Sequence, residues 1–398
     1  MTNSKKNLLF IMNDLRCGGA EKSLISLLQT IDYRKYSVDL FLFQHRGIFL
    51  NQIPKAVNLL EEPHYYKYFD MPFSEVVKSC FNKNGIRILF LRVLVSLYYL
   101  LDKNSARAEQ KSWKILRYAL KRLTKEYDVA IGYLEKTPNY FCVDKVTAKR
   151  KIGYVLNDYV KLKMDPSVDK NYFEVLDFIV VDSKPSWDII VHQFPNFQHK
   201  FKIIQSIIST DSIQSLANEQ VADFPDGFSV ISIGRLAYQK GYDLALEAMQ
   251  IAMQKASFNW IILGEGQEKR ELQEKIATLG LGHRIFFLGI KENHYSYLKK
   301  ADLFLHTARF EGYGIVIQEA KILNKAILLT DFNTATHHIE HEKNGYICSM
   351  KVDDIAASIV RLVSDTSIRM QFQKQLASSF YGTENEIENF YTLIDSES

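Results

Sequence analysis

Cysteine is scarce in this chain: four in 398 residues, at Cys17, Cys80, Cys142 and Cys348, far apart in sequence. No two form a C-x-x-C pair, so neither a disulfide framework nor a cysteine-ligated metal organises the fold. Free thiols in a reducing compartment are expected. There is no D-x-D, no H-E-x-x-H and no cysteine cluster. His337, His338 and His341 could approach a metal at i, i+4, but they read better as surface histidines, and no metal is expected. A dinucleotide fingerprint is missing too, because Gly264-Glu265-Gly266 lacks the third glycine, which makes NAD a weak reading. No internal repeat or low-complexity tract appears. Met1–Lys6 runs directly into a strand candidate, so no secretory leader is expected. The longest apolar stretch, Ile86–Leu101, is shorter than the roughly 20 residues a bilayer requires, and Arg87 and Arg92 interrupt it.

Net charge is also small, +4, but it is unevenly placed. From Lys78 to Lys125 there are twelve Lys or Arg and two acids, a local +10, so the rest of the chain carries −6. A basic segment on an otherwise acidic chain suggests a local anionic partner. A helix over about Ala106–Glu126 would put Lys111, Lys114, Arg117, Lys121 and Lys125 on one face. Trp113, Leu116, Leu120 and Leu123 would lie opposite. That is an interfacial pattern, and residues 86–125 are expected to meet an anionic membrane surface. A core-packed helix with a solvated basic face is the competing reading. Nothing indicates nucleic-acid binding.

What is present is a rhythm. Apolar strand candidates recur at Leu8–Met12, Val38–Phe43, Val129–Gly132, Lys151–Val155 and Phe178–Val181. They recur again at Ser229–Ile233, Trp260–Leu263, Ile285–Leu288, Leu303–His306, Ala326–Leu329 and Tyr346–Cys348. Helical patterns fill most of the intervals. Alternation of this kind predicts parallel sheets with right-handed crossovers. The length exceeds what one core normally sustains, so two domains are expected. Ser206–Phe224, polar and serine-bearing, reads as the linker.

Two motifs carry chemistry. In Phe310-Glu311-Gly312-Tyr313-Gly314-Ile315-Val316-Ile317-Gln318-Glu319-Ala320, two carboxylates stand eight positions apart across a glycine turn. The turn leads from a strand into a helix. Such a turn aims backbone N–H groups and the positive helix end at phosphate, and the two carboxylates can reach different parts of one ligand. In Gly234-Arg235-Leu236-Ala237-Tyr238-Gln239-Lys240-Gly241, Arg235 and Lys240 flank another strand-to-helix turn. A diphosphate needs cations held at separate backbone points, Arg as a fork and Lys as a point charge.

In their order and spacing, about seventy-five residues apart, these motifs resemble the E-x7-E and G-R-x4-K-G signatures of the retaining glycosyltransferases of the glycogen synthase type. That family includes bacterial envelope-polysaccharide enzymes (group 1 type). The likeness is sharp over about Ser229–Cys348 and softer before it. It implies an α/β fold of the GT-B kind: two Rossmann-like domains with parallel sheets facing a central cleft. Residues 1–205 would be the acceptor domain and 206–379 the nucleotide-sugar domain, with a terminal helix at about 380–398 packing back on the first. It implies catalytic roles for Arg235, Lys240 and Glu311, with donor diphosphate on Arg235 and Lys240 and donor sugar at Glu311. Ribose would bind at Glu319, and phosphate at Gly312, Tyr313, Gly314 and Ile315. Gly264, Glu265 and Gly266 would lie near the base and phosphates, and Gly18 and Gly19 would form the first-strand glycine loop.

The implied donor is a nucleotide sugar, a UDP-sugar first, acting as a substrate with no cofactor. The implied acceptor is a glycan or lipid-linked oligosaccharide. The expected location is cytoplasmic, peripheral on the inner face of the plasma membrane. One departure stands out. Before Asn157-Asp158 the family often has His, which touches the donor sugar; this chain has Leu156. That feature keeps a second reading open, a sugar-nucleotide-binding partner subunit, beside a third, a sugar-nucleotide epimerase on the same fold.

Overall fold

The computed structural model describes residues 5–16, 18–79 and 83–396. They divide into two units. The first comprises 5–16, 20–79, 83–206 and 385–396, and the second comprises 18–19 and 207–384. Each is built on a sheet whose strands are all parallel. Val, Ile, Leu and Phe dominate these strands because helices cover both faces.

In the first unit the strands are β1 (Lys6–Met12), β2 (Tyr36–Leu42), β3 (Val57–Leu59), β4 (Glu126–Gly132), β5 (Thr147–Val155), β6 (Phe178–Val181) and β7 (Phe201–Ile203). Their spatial order is β3-β2-β1-β4-β5-β6-β7. The second unit has β8 (Ser229–Ile233), β9 (Asn259–Leu263), β10 (Ile285–Gly289), β11 (Leu303–His306), β12 (Ala326–Thr330) and β13 (Tyr346–Cys348). Their order is β10-β9-β8-β11-β12-β13. Strand order therefore reverses between β1 and β4 in one sheet and between β8 and β11 in the other. At such a switch point the loops leaving the carboxyl ends diverge and open a crevice for ligand.

All eleven expected strands are present. The two not expected, β3 and β7, are three-residue edge strands too short for a periodic signal. The helix expected over 106–126 is corrected. It spans Ser105–Leu116, turns as 3-10 over Arg117–Ala119, and gives way to β4 at Glu126. Leu116, Leu120 and Leu123 still reach one apolar cluster with Leu9, Trp113 and Tyr140, so their spacing reflected a shared core, not a continuous helix. The basic face is partly consumed as well. Lys111 pairs with Asp102, Arg117 with Asp144 and Lys125 with Asp39. The linker reading is corrected too, since Thr210–Leu216 is helical.

The terminal helix Glu386–Asp395 packs on the first unit. Phe390, Leu393 and Ile394 are buried, and Phe390 stacks on Phe10 at 6.0 Å. Lys6 pairs with Asp395 at 2.8 Å, and Arg150 donates to the Leu393 carbonyl at 3.1 Å. Cys142 and Cys348 are free and buried; Cys17 and Cys80 lie outside the described residues.

Candidate functional site

The switch point of the second sheet brings the two motifs together. The turn Tyr238–Lys240 follows β8, and the loop Thr307–Gly314 follows β11. They are stitched by backbone and side chain. Arg309 N donates to the Gln239 carbonyl at 2.8 Å, and Gln239 returns a bond to the Phe310 carbonyl at 3.1 Å. Thr307 Oγ1 donates to the carbonyls of Lys240 and Gly241, both at 3.1 Å. Arg309 clamps Asp243 at 2.8 and 2.6 Å. Gly241 permits the closeness. Its φ is +63°, and a Cβ there would lie 2.2 Å from the Thr307 carbonyl oxygen. The Lys-Gly pair is thus explained physically: glycine lets the lysine's turn abut the loop that carries Glu311.

Within that junction the Lys240 Nζ donates to Glu311 Oε2. The same oxygen lies 3.1 Å from His306 Nε2. His306, at the end of β11, is fully enclosed. Its imidazole is pushed down first by burial and then by the Lys240 ammonium, with Glu311 opposing. It is therefore neutral and donates Nε2–H to the carboxylate. For Glu311, burial acts to raise the carboxyl, but Lys240 and His306 outweigh it, and the group is held well below the usual carboxylate range. A buried carboxylate ionised between an ammonium and an imidazole N–H is a preorganised charge at the mouth of the glycine turn.

Glu319 lies on the helix Ile315–Ile322 and is 1% exposed. Its Oε2 is 2.7 Å from His294 Nε2. Gly314 caps this helix at φ +63°, and Thr334 Oγ1 donates to the carbonyls of Glu311 and Gly312 at 3.3 Å. Tyr313 is buried, and Ile315 is partly buried. Arg235 is exposed, with no ion pair among the described residues. Gly264 and Gly266 have a packing reason of their own. Added Cβ atoms would come within 2.0 Å of the Gly234 oxygen and 2.2 Å of the Leu236 oxygen. Leu236 N donates to the Glu265 carbonyl at 2.9 Å. The Gly264-Glu265-Gly266 turn therefore holds the Arg235 turn from behind, while the Glu265 side chain pairs with Lys269. Gly18 and Gly19 open the helix Gly19–Thr30 after β1 and group with the second unit.

In the first unit, Leu156 follows β5. Its N–H donates to Glu135 Oε2 at 3.1 Å, and Asn157 Nδ2 donates to Oε1 at 2.7 Å. Glu135, 3% exposed, therefore fixes this loop. The next residue, Lys136, has φ +67°, rare for a residue with a Cβ, and pairs with Glu109 at 2.6 Å. Sequence reasoning missed His306, His294 and Glu135. His306 stands five positions before Glu311 at a strand end, a readable signal; His294 and Glu135 are joined to their partners only by the fold. The histidine trio does not share a helix. The helix ends at His338, and His341 Nδ1 accepts from Ile347 N at 3.0 Å. Among the described residues no group of three His, Cys, Asp or Glu is placed to hold a metal.

Residues 216–378 match the family model of glycosyl transferases group 1. Over 176 residues the chain is 31% identical to an uncharacterised glycosyltransferase of Methanocaldococcus jannaschii, covering 43% of each. Over 213 residues it is 29% identical to the N-acetylgalactosamine-N,N'-diacetylbacillosaminyl-diphospho-undecaprenol 4-alpha-N-acetylgalactosaminyltransferase of Campylobacter jejuni, covering 51% of this chain and 57% of that one. The chain thus spans about half the length of these curated relatives. In fold it is similar to Anabaena HepE, solved in complex with UDP and glucose. The TM-score is 0.70 at 17% identity, over 98% of this chain and 100% of that one. The two Rossmann-like domains are those of the GT-B fold.

Proposed function

We propose that this chain is a retaining, metal-independent glycosyltransferase that moves a sugar from a UDP-sugar to a lipid-linked glycan in bacterial surface polysaccharide synthesis. The observation that carries the reading is the junction of the two motifs at the β8/β11 switch point, where Lys240, Glu311 and His306 form one buried charge cluster. Exposed Arg235 stands on the same turn as Lys240, and Glu319 stands one helix turn and a half beyond the glycine turn.

In this reading Glu319, bonded to His294, accepts from the ribose hydroxyls. Arg235 and Lys240 take the diphosphate, and Glu311 meets the sugar hydroxyls near the reacting carbon. The bond from that carbon to the diphosphate oxygen breaks, and the acceptor oxygen bonds to the carbon on the same face. The acceptor proton passes to the departing phosphate oxygen. Arg235 and Lys240 stabilise the charge that develops there. UDP as the nucleotide is supported by the UDP-bound relative in fold, and a lipid-diphosphate acceptor by the Campylobacter enzyme's name.

A membrane-facing acceptor agrees with the helix Lys83–Leu101. None of the described helices is long and apolar enough to cross a bilayer, yet this one is apolar on both faces. Ile88, Leu91 and Val95 are buried, while Ile86, Phe90, Val93, Leu97, Leu100 and Leu101 are 39–84% exposed. Exposed Lys103, Lys114, Lys121 and Arg122 belong to the same basic segment. We place the interfacial surface within 86–125 on this helix, because the basic face of the next one is largely paired.

The test is a thermal-shift panel of nucleoside diphosphates and sugar nucleotides, followed by product analysis on an isolated lipid-linked acceptor. UDP raising the melting temperature above the other diphosphates, with an anomer-retaining product, supports the reading; indifference to all nucleotides ends it. Leu156 favours one other reading, a nucleotide-binding partner subunit, which binding without turnover on any acceptor would establish.

A further inference from the structure

A polar cavity of about 300 Å³ opens beside the helix Ile315–Ile322, bounded also by the helix Thr366–Ala377 and the turn after β12. It far exceeds the roughly 10–15 Å³ that a single water needs. Lys321, Tyr381, His338 and Gln375 line it, together with the ion pair Lys343–Glu340 at 2.8 Å. None of these residues has a part in the proposed transfer.

Lys321 is 7% exposed. Among the described residues it makes no ion pair and no hydrogen bond; its ammonium rests over the Tyr381 ring at 4.2 Å. A buried ammonium without a carboxylate is costly and is seldom tolerated without a purpose. His338, 6% exposed, supplies a second and independent sign. Its Nδ1 lies 3.4 Å from Gln318 Nε2, an amide donor, which places the ring proton on Nε2. That Nε2 is buried and has no partner. Two buried donors without acceptors belong to residues that line one cavity, and both call for an acceptor-rich ligand. A sugar hydroxyl would leave the ammonium uncompensated, whereas an oxyanion satisfies both.

We propose that this cavity is a binding site for a small phosphate-class anion, held by Lys321 and His338 and separate from the donor diphosphate site. Lys321 shares its helix with Glu319, and a Cβ on Gly314 would meet His338 Nε2 at 3.2 Å. Occupancy therefore bears on the two ends of the proposed nucleotide-reading helix, which suits a regulatory anion.

The test is calorimetric titration of the full chain with inorganic phosphate, with and without saturating UDP, in wild type, Lys321→Met and Lys321→Arg. Wild type should bind one phosphate that UDP does not displace. Lys321→Met should lose at least tenfold in affinity and melt no lower than wild type, since it removes an uncompensated charge; Lys321→Arg should retain binding. Burial lowers Lys321 to about 8. Of its neighbours, His338 is pushed by burial down to about 3 and the Glu340–Lys343 pair is mutually compensated. Phosphate is already a dianion at pH 8, so binding should weaken from pH 7.5 to 9 through Lys321. UDP displacing the phosphate, or equal affinity in Lys321→Met, would overturn the site. Should Lys321→Met not fold, unchanged affinity in Lys321→Gln overturns it equally. Failure of UDP to bind, with phosphate binding still dependent on Lys321, would count against the transferase reading and leave this site standing.

Discussion

Replacing Lys240 with Met should destabilise the C-terminal domain in a way that grows with pH. The Lys240 and Glu311 side chains are 16% and 11% exposed, so solvent screens them little. Met keeps most of the lysine stem's volume but removes the ammonium, leaving Glu311 with the neutral His306 N–H at 3.1 Å. Breaking a buried pair from one side costs about 3–5 kcal/mol; with one donor left, about 3 kcal/mol is expected at pH 7. For a domain of this size that is a fall in Tm of roughly 6–12 °C.

The sign with pH follows from linkage. In wild type the folded carboxyl is depressed below its ordinary 4.5, so its contribution is complete above that value and fades as pH falls through and below it. In Lys240→Met burial is opposed only by His306 and the carboxyl rises, so folding then favours the protonated form and stability falls as pH climbs past 4.5. The penalty should therefore be small at pH 4.5 and full at pH 7. Adding Glu311→Gln to Lys240→Met should recover most of the loss. The measurement is urea unfolding followed by circular dichroism, resolving the two domains' transitions where they separate. The same penalty at pH 4.5 and 7, or none at either, would refute the buried-charge account.

Four further outcomes follow. Glu319→Ala should lower Tm through the lost buried bond to His294 and weaken UDP binding to the folded protein by about 1.5–3 kcal/mol, the scale of a charged hydrogen bond; equal affinity in calorimetry would remove its ribose role. Arg235→Ala should lower turnover on the order of 10²–10³-fold, and chelators should leave wild-type rate intact; activity lost to a chelator and restored by Mg²⁺ would contradict the metal-independent reading. Phe90→Glu and Leu97→Glu should each reduce binding to anionic vesicles roughly ten- to hundredfold, since fully burying such a side chain is worth about 1.5–3 kcal/mol; unchanged co-sedimentation would show that this helix does not insert. Leu156→His should shift preference in a donor panel from a deoxy or less polar sugar toward a fully hydroxylated one; an equal gain for every donor would show instead that the residue governs rate.

Legibility in the sequence followed how local each signal was. Eleven strands could be read because each is an apolar run that packs between two helix layers, and Leu303–His306 was placed to the residue. The edge strands β3 and β7 could not, since three residues carry no period. The apolar spacing of Leu116, Leu120 and Leu123 misled because a helix is not the sole way to deliver such residues to one core; here the chain unwinds after Leu116 and still buries Leu120 to 5% exposure. The basic face misled for another reason. Charge along a sequence does not show which lysines already have partners, and Asp39 and Asp144 lie far from the residues they neutralise.

The candidate site shows the same division more sharply. Arg235, Lys240, Glu311 and Glu319 announce themselves by residue type and interval. What gives them usable charge does not. His306 is a strand residue five positions from the glutamate it touches, and His294 meets Glu319 across 25 residues with nothing between them to signal it. Each histidine bonds one oxygen of a carboxylate. In the proposed reaction, a carboxylate that accepts from a sugar must stay ionised and oriented when no ligand is there, and if Lys240 turns toward a phosphate, Glu311 must not be left as a bare buried charge. The neutral imidazole of His306 meets both needs at Glu311. It holds the carboxylate without neutralising it, and it remains when the cation leaves. The paired carboxylates mark where this site is, and the histidines behind them explain how it can stand ready before a ligand arrives.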